Sequence, residues 1–135
     1  MLECCFRRDI ASLEAIWEFL AGFFAAHDVA ASRAFDVELV LEELFTNMVK
    51  YGRGAGHDIE VGLGLDGTLL TIVLRDRDVE PWDVTQAAEV DTARPLLERK
   101  AGGLGLHFVR QIADRLDYEY TNRTSIITVT KRLEA

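Results

Sequence analysis

Residues 42–65 read EELFTNMVKYGRGAGHDIEVGLGL, and within them the hydrophobic period changes from helical to extended. On the helical side, Val37, Val40, Leu41, Leu44 and Met48 recur at steps of three and four, the mark of an amphipathic helix. The run Gly52-Arg53-Gly54-Ala55-Gly56 ends that pattern. Beyond it, Ile59, Val61, Leu63 and Leu65 alternate with Glu60, Gly62, Gly64 and Asp66, as in a half-buried strand. Asp66-Gly67 supplies a tight turn into a second strand over Thr68–Arg75.

Upstream, Ser32 is a start signal, so the helix is predicted to run from Ser32 to about Tyr51. An earlier helix is predicted from Asp9 or Ser12 to about His27. It carries Leu13, Ile16, Trp17, Leu20, Phe23 and Phe24 at helical spacing, with Ser12 as candidate cap. Leu2, Cys4 and Phe6 alternate like a short strand. Downstream, Arg77–Ala101 holds both prolines and many acids with little periodicity. At about 25 residues it is too long for an ordinary connection and is expected to form a lid. Gly102, Gly103 and Gly105 lead into a helix over 106–114, and 116–121 with 124–132, joined at Asn122-Arg123, read as a second hairpin. The expected architecture is an α/β (α+β) two-layer sandwich, one domain over 1–135, with helices on one face of a mainly antiparallel mixed sheet.

The chain has 135 residues, 49% of them hydrophobic, and 15 Lys and Arg against 23 Asp and Glu, for a net charge of −8. That composition builds a packed core and excludes a disordered chain. So acidic a surface repels a phosphate backbone and an anionic bilayer, so neither nucleic acid nor membrane is an expected partner. The N-terminus reaches Arg7-Arg8-Asp9 without an apolar run, and no stretch approaches the ~20 residues of a membrane span, so a cytoplasmic location is expected. Cys4 and Cys5 are adjacent, which is neither a disulfide framework nor metal-ligand spacing, and reduced thiols are expected. His27, His57 and His107 also lack metal-like spacing and are expected to be structural or exposed.

Candidate chemistry gathers in three places. At ~100° per residue, Asp36, Glu43, Asn47 and Lys50 project within roughly 60° of one another on the second helix. They form a polar stripe supplying a proton acceptor, an oxygen ligand for a hard cation and a positive charge for a phosphate. Taken alone, the stripe also reads as a solvated helix face. The Gly102-Gly103-Leu104-Gly105-Leu106 turn before a helix offers free backbone N–H groups to an anion, or serves as a lid hinge. Asp76, where a strand meets the lid, is placed to accept a hydrogen bond from a ligand's exocyclic amine, although a lone acid there is ordinarily solvated.

Together, Glu43-x-x-x-Asn47-x-x-Lys50-Tyr51, then Asp76, then Gly102-Gly103-Leu104-Gly105-Leu106 after a long lid resemble the GHKL ATP-binding superfamily of gyrase, heat-shock chaperones, mismatch-repair proteins and histidine kinases. Within it, the short chain and the stretch GGLGLHFVRQIADRLDYEY followed by TKRL are similar to stand-alone anti-sigma-factor serine kinases of the RsbW and SpoIIAB type. The resemblance implies a Bergerat ATP-binding fold that takes ATP and Mg²⁺. It implies that Asn47 ligates the metal, Glu43 is the general base, Lys50 approaches the phosphates and Tyr51 borders the pocket. Asp76 would accept the adenine amine. Gly102, Gly103, Leu104, Gly105 and Leu106 would line the phosphates, with Thr124 or Ser125 as a further pocket candidate. It further implies an ATP-dependent serine/threonine kinase that binds a sigma factor, phosphorylates a STAS-type anti-anti-sigma protein and forms a homodimer.

The chain departs from that pattern at Asp76-Arg77-Asp78, where the family has Asp-x-Gly. A carboxylate in place of the glycine is expected to narrow the pocket or repel a triphosphate. This opens an alternative, a non-catalytic or weakly nucleotide-binding protein of the same fold that sequesters a partner. Glu80-Pro81-Trp82-Asp83 nonetheless resembles the aromatic-Asp step that follows this box in the serine-kinase branch.

Overall fold

The structure is a computed structural model that describes residues 1–51, 56–81 and 103–133, with only the backbone described for Ala31, Tyr51 and residues 103–107. The elements in chain order are β1 (Leu2–Phe6), α1 (Leu13–Ala26), α2 (Ala31–Tyr51), β2 (Ile59–Asp66), β3 (Leu69–Asp76), α3 (Gly103–Ile112), β4 (Arg115–Thr121) and β5 (Thr124–Arg132). A short 3₁₀ turn at Ile10–Ser12 leads into α1. Its cap is Asp9, whose Oδ1 accepts the Ala11 N–H at 3.0 Å. Ser12, the expected cap, instead donates its hydroxyl to the Arg7 carbonyl at 2.8 Å.

The strands form one sheet in the order β1-β2-β3-β5-β4, and every pairing is antiparallel. Its strand alternation divides cleanly. Ile59, Val61, Leu63, Leu70, Ile72, Leu74, Ile127 and Val129 face the helices and are buried with Ile16, Leu20, Phe23, Val40, Leu41, Leu44 and Phe45 in one core cluster. The opposite face is polar near β1–β3, where Arg75 pairs with Glu60 at 3.0 Å and Glu3 at 3.6 Å, and Arg77 with Glu60 at 3.2 Å. Phe6 meets the Phe19 ring edge-on at 5.6 Å, so the aromatic stripe of α1 is core, apart from Trp17, which stays 39% exposed.

Both hairpins turn through left-handed residues. Gly67 takes φ 60° between β2 and β3, and Asn122 and Arg123 take φ 51° and 58° between β4 and β5, the two positive values of a type I′ turn. Helix α3 begins at Gly103, so Gly103 and Gly105 lie in its first turn instead of preceding it; Val109 is buried in the core and α3 packs on α2. The Lys131 ammonium donates to the Ile112 carbonyl at 3.0 Å and so caps the C-terminal end of α3.

Candidate functional site

The polar stripe of α2 is not solvated along its length. Glu43 is half-buried, Lys50 is exposed, and Asn47 is only 1% exposed. The Asn47 Nδ2 group donates to the Glu43 carbonyl at 2.7 Å and to Glu43 Oε1 at 2.8 Å. Two acceptors around the nitrogen decide which end of the amide is which. Asn47 Oδ1 is thereby left buried with no hydrogen-bond partner. Such an orphan costs about 1–3 kcal/mol and is unusual in native structures. Tyr51 closes α2, and its side chain lies outside the described residues.

Asp76 ends β3 and is 2% exposed. Phe6, Ile59, Asp76, Ser125 and Tyr120 stand opposite one another across the sheet, in one row on the helix-facing side. Ser125, buried at 7%, is therefore the neighbour of Asp76. Thr124, one residue earlier, falls on the other face by strand alternation, and its hydroxyl reaches the Asn122 carbonyl at 3.5 Å. Of the two β5 candidates, the geometry favours Ser125 over Thr124.

One residue at this site has no signal in the sequence motifs. The Arg8 guanidinium, two residues past the end of β1, forms an ion pair with Asp76 Oδ1 and donates through Nη1 to the Met48 carbonyl at 2.8 Å. Burial pulls Arg8 down from the ordinary arginine value, yet arginine stays charged at neutral pH. The available signal was topological: Phe6, Ile59 and Asp76 share one sheet row, so a residue just beyond Phe6 emerges at the Asp76 end of the sheet.

Asp78, the residue that departs from the family pattern, is exposed and engaged with its neighbours. It adopts φ 56°, the left-handed conformation that a glycine at this position would take without penalty and that Asp tolerates better than most residues. Its exposed carboxylate accepts from Arg123 Nε at 2.9 Å and lies 3.8 Å from His57 Nε2. This bond pushes the Arg123 guanidinium up from its ordinary value. The next residue, Val79, is buried, donates its N–H to the Arg123 carbonyl at 3.0 Å and accepts the Tyr120 hydroxyl at 2.7 Å. The start of the expected lid is thus pinned to the β4–β5 hairpin; its residues 82–101, and Gly102, lie outside the described residues.

Gly103, Leu104, Gly105 and Leu106 occupy the first turn of α3, where backbone N–H groups have no partner within the helix. Among the described residues no cluster of His, Cys, Asp or Glu is built to hold a metal ion, and no helix is long and apolar enough to cross a membrane. His27 is structural: its Nδ1 lies 2.9 Å from the Phe23 carbonyl and its ring packs on Phe23 at 4.3 Å. A hollow of about 530 Å³ opens at the β1–β3 end, lined by Cys5, His57, Asp58, Glu60, Arg75 and Arg77, and shares no residue with the α2 and Asp76 site.

A family model described as a histidine kinase-like ATPase domain matches residues 6–131. The RsbU and RsbW domains of Rv1364c from Mycobacterium tuberculosis superpose with TM-score 0.70 at 16% identity, over 98% of this chain and 32% of that one. The SiaB-SiaC complex from Pseudomonas aeruginosa gives 0.68 at 19% identity, over 96% and 88%. The Erythrobacter litoralis EL346 blue-light activated histidine kinase gives 0.54 at 17%, over 78% and 32%. The chain thus spans about a third of the Rv1364c structure and most of the matched chain of the SiaB-SiaC complex. No curated protein matches the sequence.

Proposed function

The chain belongs to the histidine kinase-like ATPase domain family, and on that premise we propose that it is an ATP-dependent serine/threonine protein kinase acting as an anti-sigma factor. In this reading it phosphorylates a STAS-type anti-anti-sigma protein and, in the alternate state, holds a sigma factor, as a homodimer. The observation that carries the chemistry is the Asn47 amide, clamped by Glu43 with a buried and unpartnered Oδ1. The occurrence of the fold in an RsbW domain and in the SiaB-SiaC complex supports the partner-switching part at the level of architecture.

The residues present fit Mg-ATP. Mg²⁺ keeps most of its ligands as water and phosphate and asks little of the protein, so a single orphaned amide oxygen is a suitable donor where the described residues form no acidic cluster. When bound, Mg²⁺ would neutralise phosphate charge as the γ-phosphoryl group moves. The chain's own residues would do the rest. Asn47 offers Oδ1, and Asp76 accepts the adenine amine with Ser125 beside it. Lys50 and the backbone N–H groups in the first turn of α3 would approach phosphate oxygens. Glu43 Oε1 is taken by Asn47 Nδ2, which leaves Oε2 to accept the proton of an incoming serine hydroxyl as its oxygen bonds to the γ-phosphorus and the bond from that phosphorus to the β–γ bridging oxygen breaks, releasing ADP.

The alternative of a non-catalytic sequestering protein drew its support from Asp78. That carboxylate is engaged with Arg123 at an exposed position, so the active reading is favoured. The deciding experiment measures Mg-dependent ATP binding by calorimetry, then transfer of ³²P from γ-labelled ATP to purified STAS-domain proteins. Binding with transfer supports the kinase; binding without transfer to any of them supports the sequestering protein; no binding at millimolar ATP removes both nucleotide readings.

A further inference from the structure

We infer that Arg8 is a positioning residue for base recognition: it holds the buried Asp76 carboxylate ionised and oriented so that its second oxygen reads the exocyclic amine of adenine. The inference rests on the nucleotide-binding reading above and adds a residue from outside the recognised motifs.

Three observations carry it. Asp76 is 2% exposed, and the Arg8 side chain paired with it is 14% exposed, so neither charge can rely on water. A carboxylate so buried is tolerated only with a counter-charge and hydrogen bonds. Arg8 is itself held from two sides, by Asp76 Oδ1 and by the Met48 carbonyl. Because α2 ends at Tyr51, that carbonyl belongs to the last turn of the helix. Arg8 therefore ties the end of α2, one residue from Asn47, to the end of β3. Among the described residues the bond to Asp76 is made at Oδ1, and Oδ2 is left for another donor.

The opposite possibility is that Arg8 occludes Asp76 and must leave before a base can enter. Energetics disfavour it. A neutral amine brings no charge, so exchanging Arg8 for adenine would strand both a buried carboxylate and a guanidinium that has lost both partners. The base instead joins a pair that stays closed. Removing the guanidinium leaves Asp76 to take up a proton or rotate away, and either outcome weakens its bond to the amine.

The test compares ATP with purine riboside 5′-triphosphate, which lacks only the 6-amino group. An amine bonded to a charged acceptor makes the wild-type protein prefer ATP by about 10- to 100-fold. In Arg8→Gln that preference is expected to fall to about threefold or less. Arg8→Lys, which restores a cation beside Asp76, is expected to recover most of it. A purely structural role for Arg8 would weaken both nucleotides equally and leave the preference intact, which overturns the proposal. Should Arg8→Gln not fold, the wild-type protein answers alone. Its Arg8 guanidinium protons, followed by ¹⁵N NMR, should remain protected when ATP saturates the site, and their release on binding would establish occlusion instead. Wild-type protein that binds neither nucleotide removes the nucleotide reading itself and the role of Arg8 with it. Equal wild-type affinity for the two nucleotides removes the role of Asp76 and Arg8 and leaves the rest of the site standing.

Discussion

Replacing Asn47 with alanine separates the cost of a ligand site from its use. Asn47 is 1% exposed, and truncating a buried, fully bonded side chain of this kind would ordinarily destabilise a protein by roughly 2–3 kcal/mol. Here the opposing contributions nearly cancel. Deleting the orphaned Oδ1 relieves about 1–3 kcal/mol of unmet desolvation. Against that stand the lost bond from Nδ2 to the half-buried Glu43 carboxylate, about 1 kcal/mol, and a small void of similar cost. The second bond, to the Glu43 carbonyl, adds little, because that carbonyl already accepts the helical N–H four residues on. The ligand-free Asn47→Ala protein is therefore expected to unfold in urea within about 1 kcal/mol of wild type.

With Mg-ATP the two proteins should part. A ligand at a hundred times its dissociation constant stabilises by about 2.7 kcal/mol, which for a domain of this size raises the melting temperature by roughly 10 °C. Wild type should show that rise and Asn47→Ala should show little of it, in thermal scans with and without 5 mM Mg-ATP, a concentration on the order of that hundredfold excess for a site of tens of micromolar affinity. A ligand-free loss above about 3 kcal/mol would mean that Oδ1 is satisfied after all. A full ligand-induced rise in the variant would mean that Asn47 does not hold the metal. Either result refutes the reasoning at a different step.

Glu43→Gln keeps an oxygen acceptor for Asn47 Nδ2, so Mg-ATP affinity should stay within about threefold while phosphoryl transfer falls by about 10²–10⁴, read in the same ³²P assay. Asp78→Gly should leave stability unchanged or raise it, whereas Asp78→Val should lower it by about 1–2 kcal/mol in urea titrations, because φ 56° suits glycine and strains a β-branched residue. The Gly variant should bind ATP within about threefold of wild type, since an exposed ion-paired carboxylate contributes little at a distance. Ser125→Ala should weaken ATP binding by roughly 3- to 10-fold and Thr124→Val should not, as the two hydroxyls lie on opposite faces of β5.

What the sequence disclosed, it disclosed through period and turn chemistry. Alternation over 59–65 and the Asp66-Gly67 turn define β2 and β3, and Asn122-Arg123 defines the second hairpin, because each signal is local. Glu43 and Asn47 were legible as a pair since four residues on a helix make one turn, and they are indeed hydrogen-bonded. The misreadings share a different cause. Ser12 looked like a cap by residue type, but Asp9 lies at the true start of the turn and takes the N–H instead. The glycines at 103 and 105 were expected to lead into a helix that they in fact open. At Asp78 residue type reports only the charge, whereas the φ of 56° and the bond to Arg123, which fix where the carboxylate goes, belong to the folded chain.

Arg8 shows what local reading cannot reach and what register can. It lies 68 positions from Asp76, and no spacing rule links the two. Yet once β1 pairs with β2 and β2 with β3, Phe6, Ile59 and Asp76 must line up, and the chain leaving β1 has to pass the same end of the sheet. An arginine there meets either solvent or the carboxylate that ends β3. Burial removes the first option, since an unpaired acid at 2% exposure would be driven to neutralise. The pairing is therefore a consequence of topology plus desolvation, and its position one residue from Asn47 makes the two ends of the candidate cleft a single mechanical unit. Perturbing either end should therefore be felt at the other: in double-mutant cycles on ATP affinity, Arg8→Gln and Asn47→Ala are expected to couple by about 0.5 kcal/mol or more, and strict additivity would show the two ends to be independent.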